Sequence, residues 1–494
     1  MLLGRTQAGR IVFLTLVVSI PSVPLEAVPV CVDQVVGIIE RCPDWSASYN
    51  NPNGAGGNLE DTAFWSSVSP DGSKVFVTGR SRDDSSDRDA TTMGLNAATG
   101  ARLWVGRYDN GGTYDVGSSV IGTNTRVFST GRSSGPQGWD WATVAYDAAT
   151  GQKLWDDRVA GTKEVDDTSW TVAVSPDEQT VYVGGTIDDG LDVAGDAMVV
   201  AYDTGTGERK WTGRFDSSVG DSNTYDHGFR LFVAPDGSRV YLAGETRAGS
   251  DAMNYLAVAF EAADPDRLGD VLWSTTYASN QGTDVLRAAA LSSDGSRLAL
   301  TGFSPGLDVN TVVFDTADGR RLWSARYNGT RNGADEAAGV AIVAGKAIVA
   351  MKGAEGTAGF DFATRAYDLE TGEVSWTSYD GTAATPETPH AIVALGDAVY
   401  VTGTVPVPRG EIQPVFKIEP ATLMTVSYDA NTGARRWITH HNESGVGADV
   451  AVAISAGGGR VYPTGTFAFS GVYVYPHQAA KAYAWDFGVV AYDA

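Results

Sequence analysis

The sequence is poor in the residues that most often carry chemistry. Its 494 residues include two cysteines, Cys31 and Cys42, and five histidines. Two cysteines without paired histidine ligands do not make a zinc site. There is no P-loop, H-E-x-x-H or C-x-x-C-H segment, so the familiar nucleotide, metalloprotease and c-type haem signatures are missing. Basic residues are scarce as well, 36 against 60 acidic ones, for a formal charge of −24. Nucleic acids and anionic membrane surfaces call for basic patches, so neither is expected as a partner. An acidic surface serves solubility first and cation binding second. The apolar run Ile11–Ile20 is too short to span a bilayer, and nothing later approaches eighteen apolar residues. The 59 glycines follow no three-residue period, so the chain is not collagen-like.

That one apolar run has a different meaning. Arg5 and Arg10 precede it and Ala27 offers a small residue for cleavage, so residues 1–27 read as a signal peptide. The mature chain is then expected to be secreted or otherwise extracytoplasmic, in a periplasm or at a cell surface. Residues 28–44 form a linker, and in an oxidising compartment Cys31 and Cys42 are expected to pair, adding about 2–3 kcal/mol. Lipid attachment at Cys31 competes with that reading, but Val28-Pro-Val30 is a poor approach sequence.

The rest of the chain is a repeat. Ala142–Trp155 reads ATVAYDAATGQKLW: a small and β-branched strand, an Asp–Gly turn, and a strand ending in Trp. Val199–Trp211, Thr311–Trp323, Thr364–Trp376 and Thr425–Trp437 repeat it, with looser copies at Thr92–Trp104 and Ala257–Trp273. A second hairpin lies upstream of each, as in SVSPDGSKVFVTG at Ser67–Gly79, with Pro-Asp-Gly at its turn. One repeat is therefore four short antiparallel strands, a to d from inside out. The tryptophans at 45, 104, 155, 211, 273, 323, 376 and 437 recur about every 56 residues, the period of a β-propeller blade. They are read as structural, packing between blades.

Strands a to c occur eight times, but the last set ends at Tyr492-Asp493-Ala494, before a Trp strand. Trp45-Ser-Ala-Ser-Tyr49 matches that missing strand. The expectation is an all-β, eight-bladed propeller over residues 45–494, closed by pairing this N-terminal strand with the C-terminal blade, which hides the edges an open array would expose.

The A-x-D-x-x-T-G-x-x-x-W hairpin resembles the tryptophan docking motif of the quinoprotein, or PQQ-like, β-propeller repeat family. The S-P-D-G-x-x-V-Y-V-T-G segment resembles repeats of bacterial exported and cell-surface propellers. The resemblance implies the fold over Trp45–Ala494 and says little of function, because sites are grafted onto such scaffolds. A PQQ-dependent alcohol dehydrogenase of this family would carry a vicinal Cys-Cys pair and often a haem-binding C-x-x-C-H. Neither is in this chain, so PQQ is not an expected cofactor.

Strand direction puts the short a–b and c–d turns on one face and the variable b–c and d–a connections on the other, where a site belongs. Two rings of acids mark that face. One precedes strand a: Asp61, Asp115, Asp167, Asp226, Asp284, Asp335 and Asp449, with His390 in the seventh repeat, which is read as having lost its acid. The other comprises Asp89, Asp140, Asp196, Asp308, Asp361 and Asp486, with Asn254 and Thr422 substituting. Carboxylate oxygens suit calcium, and the competing reading is that each Asp caps backbone N–H groups. Breaks in the repeat also draw notice: Pro389-His390, His440-His441, and His477 in the aromatic loop Val472–Trp485. Asn328 and Asn442 are glycosylation acceptors only in a host that glycosylates.

No catalytic residue emerges. The sequence reads as a monomeric, non-enzymatic binding or scaffolding propeller with a protein or glycan ligand on the variable face. The alternative is a quinone-dependent oxidoreductase, or a propeller hydrolase or lyase, whose site is not recognised.

Overall fold

A computed structural model describes residues 43–494, apart from 50–60, 83–87, 112–113, 136–137, 162–166, 189–194, 218–224, 248–251, 280–281, 305, 307, 331–332, 354–360, 381–386, 407–420, 442–449 and 476–477. The signal peptide, Cys31, Cys42, Asp449 and His477 lie outside the described residues. The chain folds into eight four-stranded antiparallel sheets arranged as blades of a ring. Blades 1 to 7 run in order from Asp61–Val68, strand a of blade 1, to Arg435–His441, strand d of blade 7. Blade 8 takes strands a to c from Val450–Gly457, Arg460–Tyr475 and Gln478–Asp493, and its outer strand is Trp45–Tyr49. Trp45 pairs with Ala491 and Tyr49 with Phe487, which closes the ring as the repeat count requires.

Each blade follows from its composition. Strands b and c, such as Thr180–Ile187 and Asp196–Asp203, are buried along nearly their whole length. That suits their near-continuous runs of Val, Ala, Tyr and Gly. The apolar core is divided among the blade interfaces. Phe128, Trp141 and Ala145 of blade 2 pack with Val172, Val181 and Tyr202 of blade 3.

The tryptophans hold neighbouring blades together. Trp104 donates its indole N–H to the carbonyl of Ala148 in the next blade at 3.0 Å and stacks on Tyr146. The same bond joins Trp45 to Ala97, Trp155 to Thr204, Trp273 to Thr316, Trp323 to Leu369 and Trp376 to Ala430. The turn glycine beneath seven of these rings, all but that of Trp437, is doubly constrained. Gly151 has φ +71°, and a Cβ there would lie 2.6 Å from the Trp104 ring. The turn itself is tied by Asp147, whose Oδ1 accepts the amide N–H groups of Ala149 and Thr150.

Strand a departs from a regular ladder in all eight blades. A bulge falls at the same place each time, from Ala63/Trp65 in blade 1 to Ala451/Ala453 in blade 8. The residues it leaves unpaired include Phe64, Trp170, Phe229, Arg287 and His390. A bulge re-aims a side chain and ends regular pairing, and here it does so around the ring axis.

The aromatic stretch Val472–Trp485, read from sequence as a loop, is corrected by the ladder of blade 8. Strands b and c continue pairing past the blade, through Ala468↔Trp485 and Val472↔Lys481 to Tyr475↔Gln478. Both halves of the stretch are rich in aromatic and β-branched residues, so they pair with each other as a hairpin.

Two outcomes test this account. Deleting the chain through Tyr49 is expected to lower the thermal midpoint and promote association, because strand c of blade 8 becomes a free edge; an unchanged melt would show that closure is dispensable. Gly151→Ala is expected to cost about 2–4 kcal/mol in denaturant unfolding, from backbone strain plus the displaced indole. Gly345→Ala, at φ +67° with nothing within 4 Å of its Cβ, should cost only about 1 kcal/mol.

Candidate functional site

The inner ring of acids caps chain. Asp226 Oδ2 accepts the Ser217 N–H at 2.7 Å, Asp284 Oδ2 that of Ser279 at 2.7 Å, and Asp335 Oδ2 that of Gly329 at 2.7 Å. Asp115 accepts the Asn110 N–H, and Asp167 accepts from both Gly161 and Asp188. Each acid therefore ties the incoming d–a connection to the start of the next blade, and Asp61, Asp115, Asp167, Asp226, Asp284 and Asp335 are all buried. Ladder register also revises the seventh repeat. Pro389↔Gly403 in blade 7 corresponds to Ala337↔Met351 in blade 6, which puts Glu387, not His390, at the ring-acid position. The acid is not lost; it is one methylene longer and buried. His390 is instead the bulge residue, its Nε2 3.1 Å from Thr404 Oγ1.

The outer ring makes ion pairs. Asp89 meets Arg107 at 3.1 Å, and Asp140, Asp196 and Asp308 pair with Arg158, Arg214 and Arg326. Each arginine stands three residues after its blade's tryptophan, so every pair staples strand d to strand c. Asp196, Asp216 and Asp226 bring carboxylate oxygens within 4.8 Å of one another. Arg214 lies among them, bonded to Asp196 and 3.8 Å from Asp216, so a guanidinium already supplies positive charge to that cluster. Of the remaining histidines, His440 is exposed and His441 buried at the end of strand d in blade 7.

Two features of the loop face were not singled out by sequence. The first is a bank of aromatic rings and arginines across blades 1 to 4. Tyr225, His227 and Phe229 stack edge to face in turn, and Phe229 meets Trp170 at 6.1 Å. Trp170 is 38% exposed. Across blades 1 and 2, Arg80 lies over Phe64 and over Tyr114, Arg88 over Tyr114, and Arg132 over Trp139 at 4.5 Å. The second is a cavity of about 270 Å³ on the axis, lined by the inner strands. Its wall is mostly Ala, Val, Ile and Leu; Trp65, Arg230 and His390 stand out. Burial lowers the pKa of His227 and of His390, so both rings are neutral near pH 7. An alignment of the eight a strands could have found the axial pair. Trp65 and Arg230 occupy a position filled elsewhere by Ser119, Thr171, Ala288, Gly339, Ala391 and Ala453.

Comparison with known proteins agrees with this architecture. Residues 140–402, just over half of the chain, match the family model described as outer membrane protein assembly factor BamB, of the PQQ-like repeat type. The chain belongs to this PQQ-like propeller family. No curated protein matches the sequence. Among solved structures, Sqt1 of Chaetomium thermophilum bound to the N-terminus of ribosomal protein L10 superposes with a TM-score of 0.53 at 13% identity. It covers 88% of this chain and 98% of its own. The quinohemoprotein alcohol dehydrogenase of Comamonas testosteroni gives 0.51 at 15% identity, covering 91% and 76%. At such identities the likeness is one of fold.

In this PQQ-like propeller the buried acids also set a pH dependence. Desolvation pushes Glu245, whose Oε1 accepts the Leu286 N–H at 2.6 Å, up to about 7, and Asp167 up to about 6. A carboxyl with a raised folded-state pKa binds protons that the unfolded chain has released. Its contribution is full below pH ~4 and is lost as the pH rises through 6 to 7. The turn aspartates act oppositely: hydrogen bonds from Ser69 and Ser292 hold Asp71 and Asp294 down to about 2. Stability is therefore expected to peak at about pH 4–5 and to fall towards pH 8. Glu245→Gln keeps the acceptor for Leu286 and should flatten the falling limb by up to ~3 kcal/mol in denaturant titrations across pH. An unchanged limb would contradict the role given to Glu245.

Proposed function

We propose that this PQQ-like propeller is an extracytoplasmic binding module that holds a protein partner on the face of its b–c and d–a connections. The observation that carries the reading is the aromatic and arginine bank from Phe64 to Phe229, with Trp170 exposed at its centre. Aromatic residues and arginine are the side chains that dominate binding energy at protein interfaces, because they bury large area at small entropic cost. The family, described by an outer-membrane assembly factor, and the fold shared with a propeller that holds the N-terminus of a ribosomal protein are consistent with it. The leader at residues 1–27 supports a location outside the cytoplasm, in the periplasm or at the cell surface.

A redox role has less support. A quinone bearing several carboxylates, held with a metal ion, needs several cations and a cage of carboxylate or amide oxygens. The described lining of the axial cavity offers Arg230 and His390 and no carboxylate. That donor set does not fit such a cofactor. The carboxylates of the loop face are engaged in caps and in pairs with arginine, so calcium is not part of the reading.

A photo-crosslinking residue placed at Trp170, in the host's cell envelope, is expected to give adducts with another polypeptide. The same residue at Thr150, in a c–d turn of the opposite face, should give none. Adducts that form equally from both positions, or that are removed by glycosidases rather than proteases, would overturn the protein-partner reading, the latter in favour of a glycan.

A further inference from the structure

With 60 acidic residues in the chain, an arginine without a carboxylate is a departure that asks for a reason. Arg230 is one. It sits just past the bulge in strand a of blade 4 (Asp226–Val233) and lines the axial cavity. Its Nη1 donates to the Phe229 carbonyl at 2.9 Å, and its guanidinium lies over the Trp65 ring, 5.0 Å from the centroid. No carboxylate is bonded to it among the described residues. Burial lowers its pKa, and no neighbouring acid opposes the shift. The outer-strand arginines Arg107, Arg158, Arg214 and Arg326, by contrast, each have an aspartate partner.

Arg230 is half-buried, and a guanidinium partly withdrawn from water without a counter-charge lowers stability. It keeps several N–H donors in a planar fork that fits a carboxylate in bidentate fashion. The wall around it is aliphatic, with Leu231, Val340, Ile392 and Ile454, and the space holds a body of small-molecule size. One cation and an apolar chamber together select a ligand with one charged end and a hydrocarbon remainder.

We propose that the axial cavity is a binding site for a small monocarboxylic acid with an apolar body, its carboxylate held by Arg230 and its hydrocarbon by the inner strands. The Trp65 ring backs the guanidinium and fixes its plane, while the small residues at the matching position, Ala288, Gly339 and Ala391, leave the volume open. The site is separate from the protein-binding face proposed above and stands whether or not that face has a partner.

Calorimetric titration of the full protein with hexanoate and phenylacetate, and with hexanamide and phenylacetamide, tests the assignment. The acids are expected to bind and the amides to bind at least tenfold more weakly. Arg230→Met, which removes an unpaired charge and should not impair folding, is expected to weaken both acids at least tenfold. Ala391→Leu keeps the cation but fills the chamber, and should weaken them as well. Failure of both acids to bind, equal binding of acids and amides, or unchanged binding by either variant would overturn the proposal.

Discussion

The structure depends on one joint, made in seven of the eight blades by the outer-strand tryptophan against the hairpin turn of the next blade; at blade 8, which has no such turn, Trp437 packs on Tyr492 instead. Three requirements meet there. An apolar surface must be covered, a turn carbonyl needs a donor, and the turn must bring its backbone against the ring. Phe would satisfy the first and Tyr has its donor at the wrong distance, whereas an indole offers area and an N–H on one rigid plate. The turn answers with glycine, at φ +71° in Gly151, +75° in Gly207 and +74° in Gly372 and Gly433. Where the turn is lengthened, in blade 4, Gly269 still lies against Trp211, and a Cβ there would stand 3.2 Å from the ring. The insertion is accommodated around the joint rather than through it.

Docking of neighbours would build an open spiral as readily as a ring, so closure needs its own device. Pairing Trp45–Tyr49 with the last strand c gives blade 8 an outer strand from the other end of the chain. The Trp45 joint to Ala97 then carries the seam into blade 1. The buried acids complete each junction on the opposite side of the sheet ladder, where a d–a connection would otherwise enter with unsatisfied amide groups. They do so as desolvated carboxylates. The frame is therefore tightest where those acids are protonated, and its loop face is where the burden of buried charge collects.

What could be read from the sequence was whatever the repeat enforces. The hairpin Asp, Gly and Trp are visible because each has a local physical requirement that no other residue meets, and their count yields eight blades and the seam. What escaped detection was set by pairing between strands. The bulge in strand a carries no Gly or Pro signal: Phe64, Trp170 and His390 stand at it as freely as Ala338. Without that register, nothing marks Glu387 as the seventh ring acid, and His390 stands in its apparent place. The long hairpin of blade 8 was likewise a loop by composition of the whole stretch and a pair of strands only once its two halves were matched.

An eightfold frame presents the same side-chain position eight times around the axis, so a chamber there is defined by which copies are large. Seven charged copies, or eight aromatic ones, could not fit in a space of about 270 Å³. Small residues in most blades are the condition for any chamber at all, and a single cation within it then has no symmetry-related rival. Trp65 in blade 1 and Arg230 in blade 4 break the pattern in that way, and they touch each other. The same logic governs the loop face, where rings and guanidinium groups gather over blades 1 to 4. In a scaffold whose repeats exist to dock on one another, specificity has to come from the positions that docking leaves free, and in this chain those positions are the bulge residue and its neighbour.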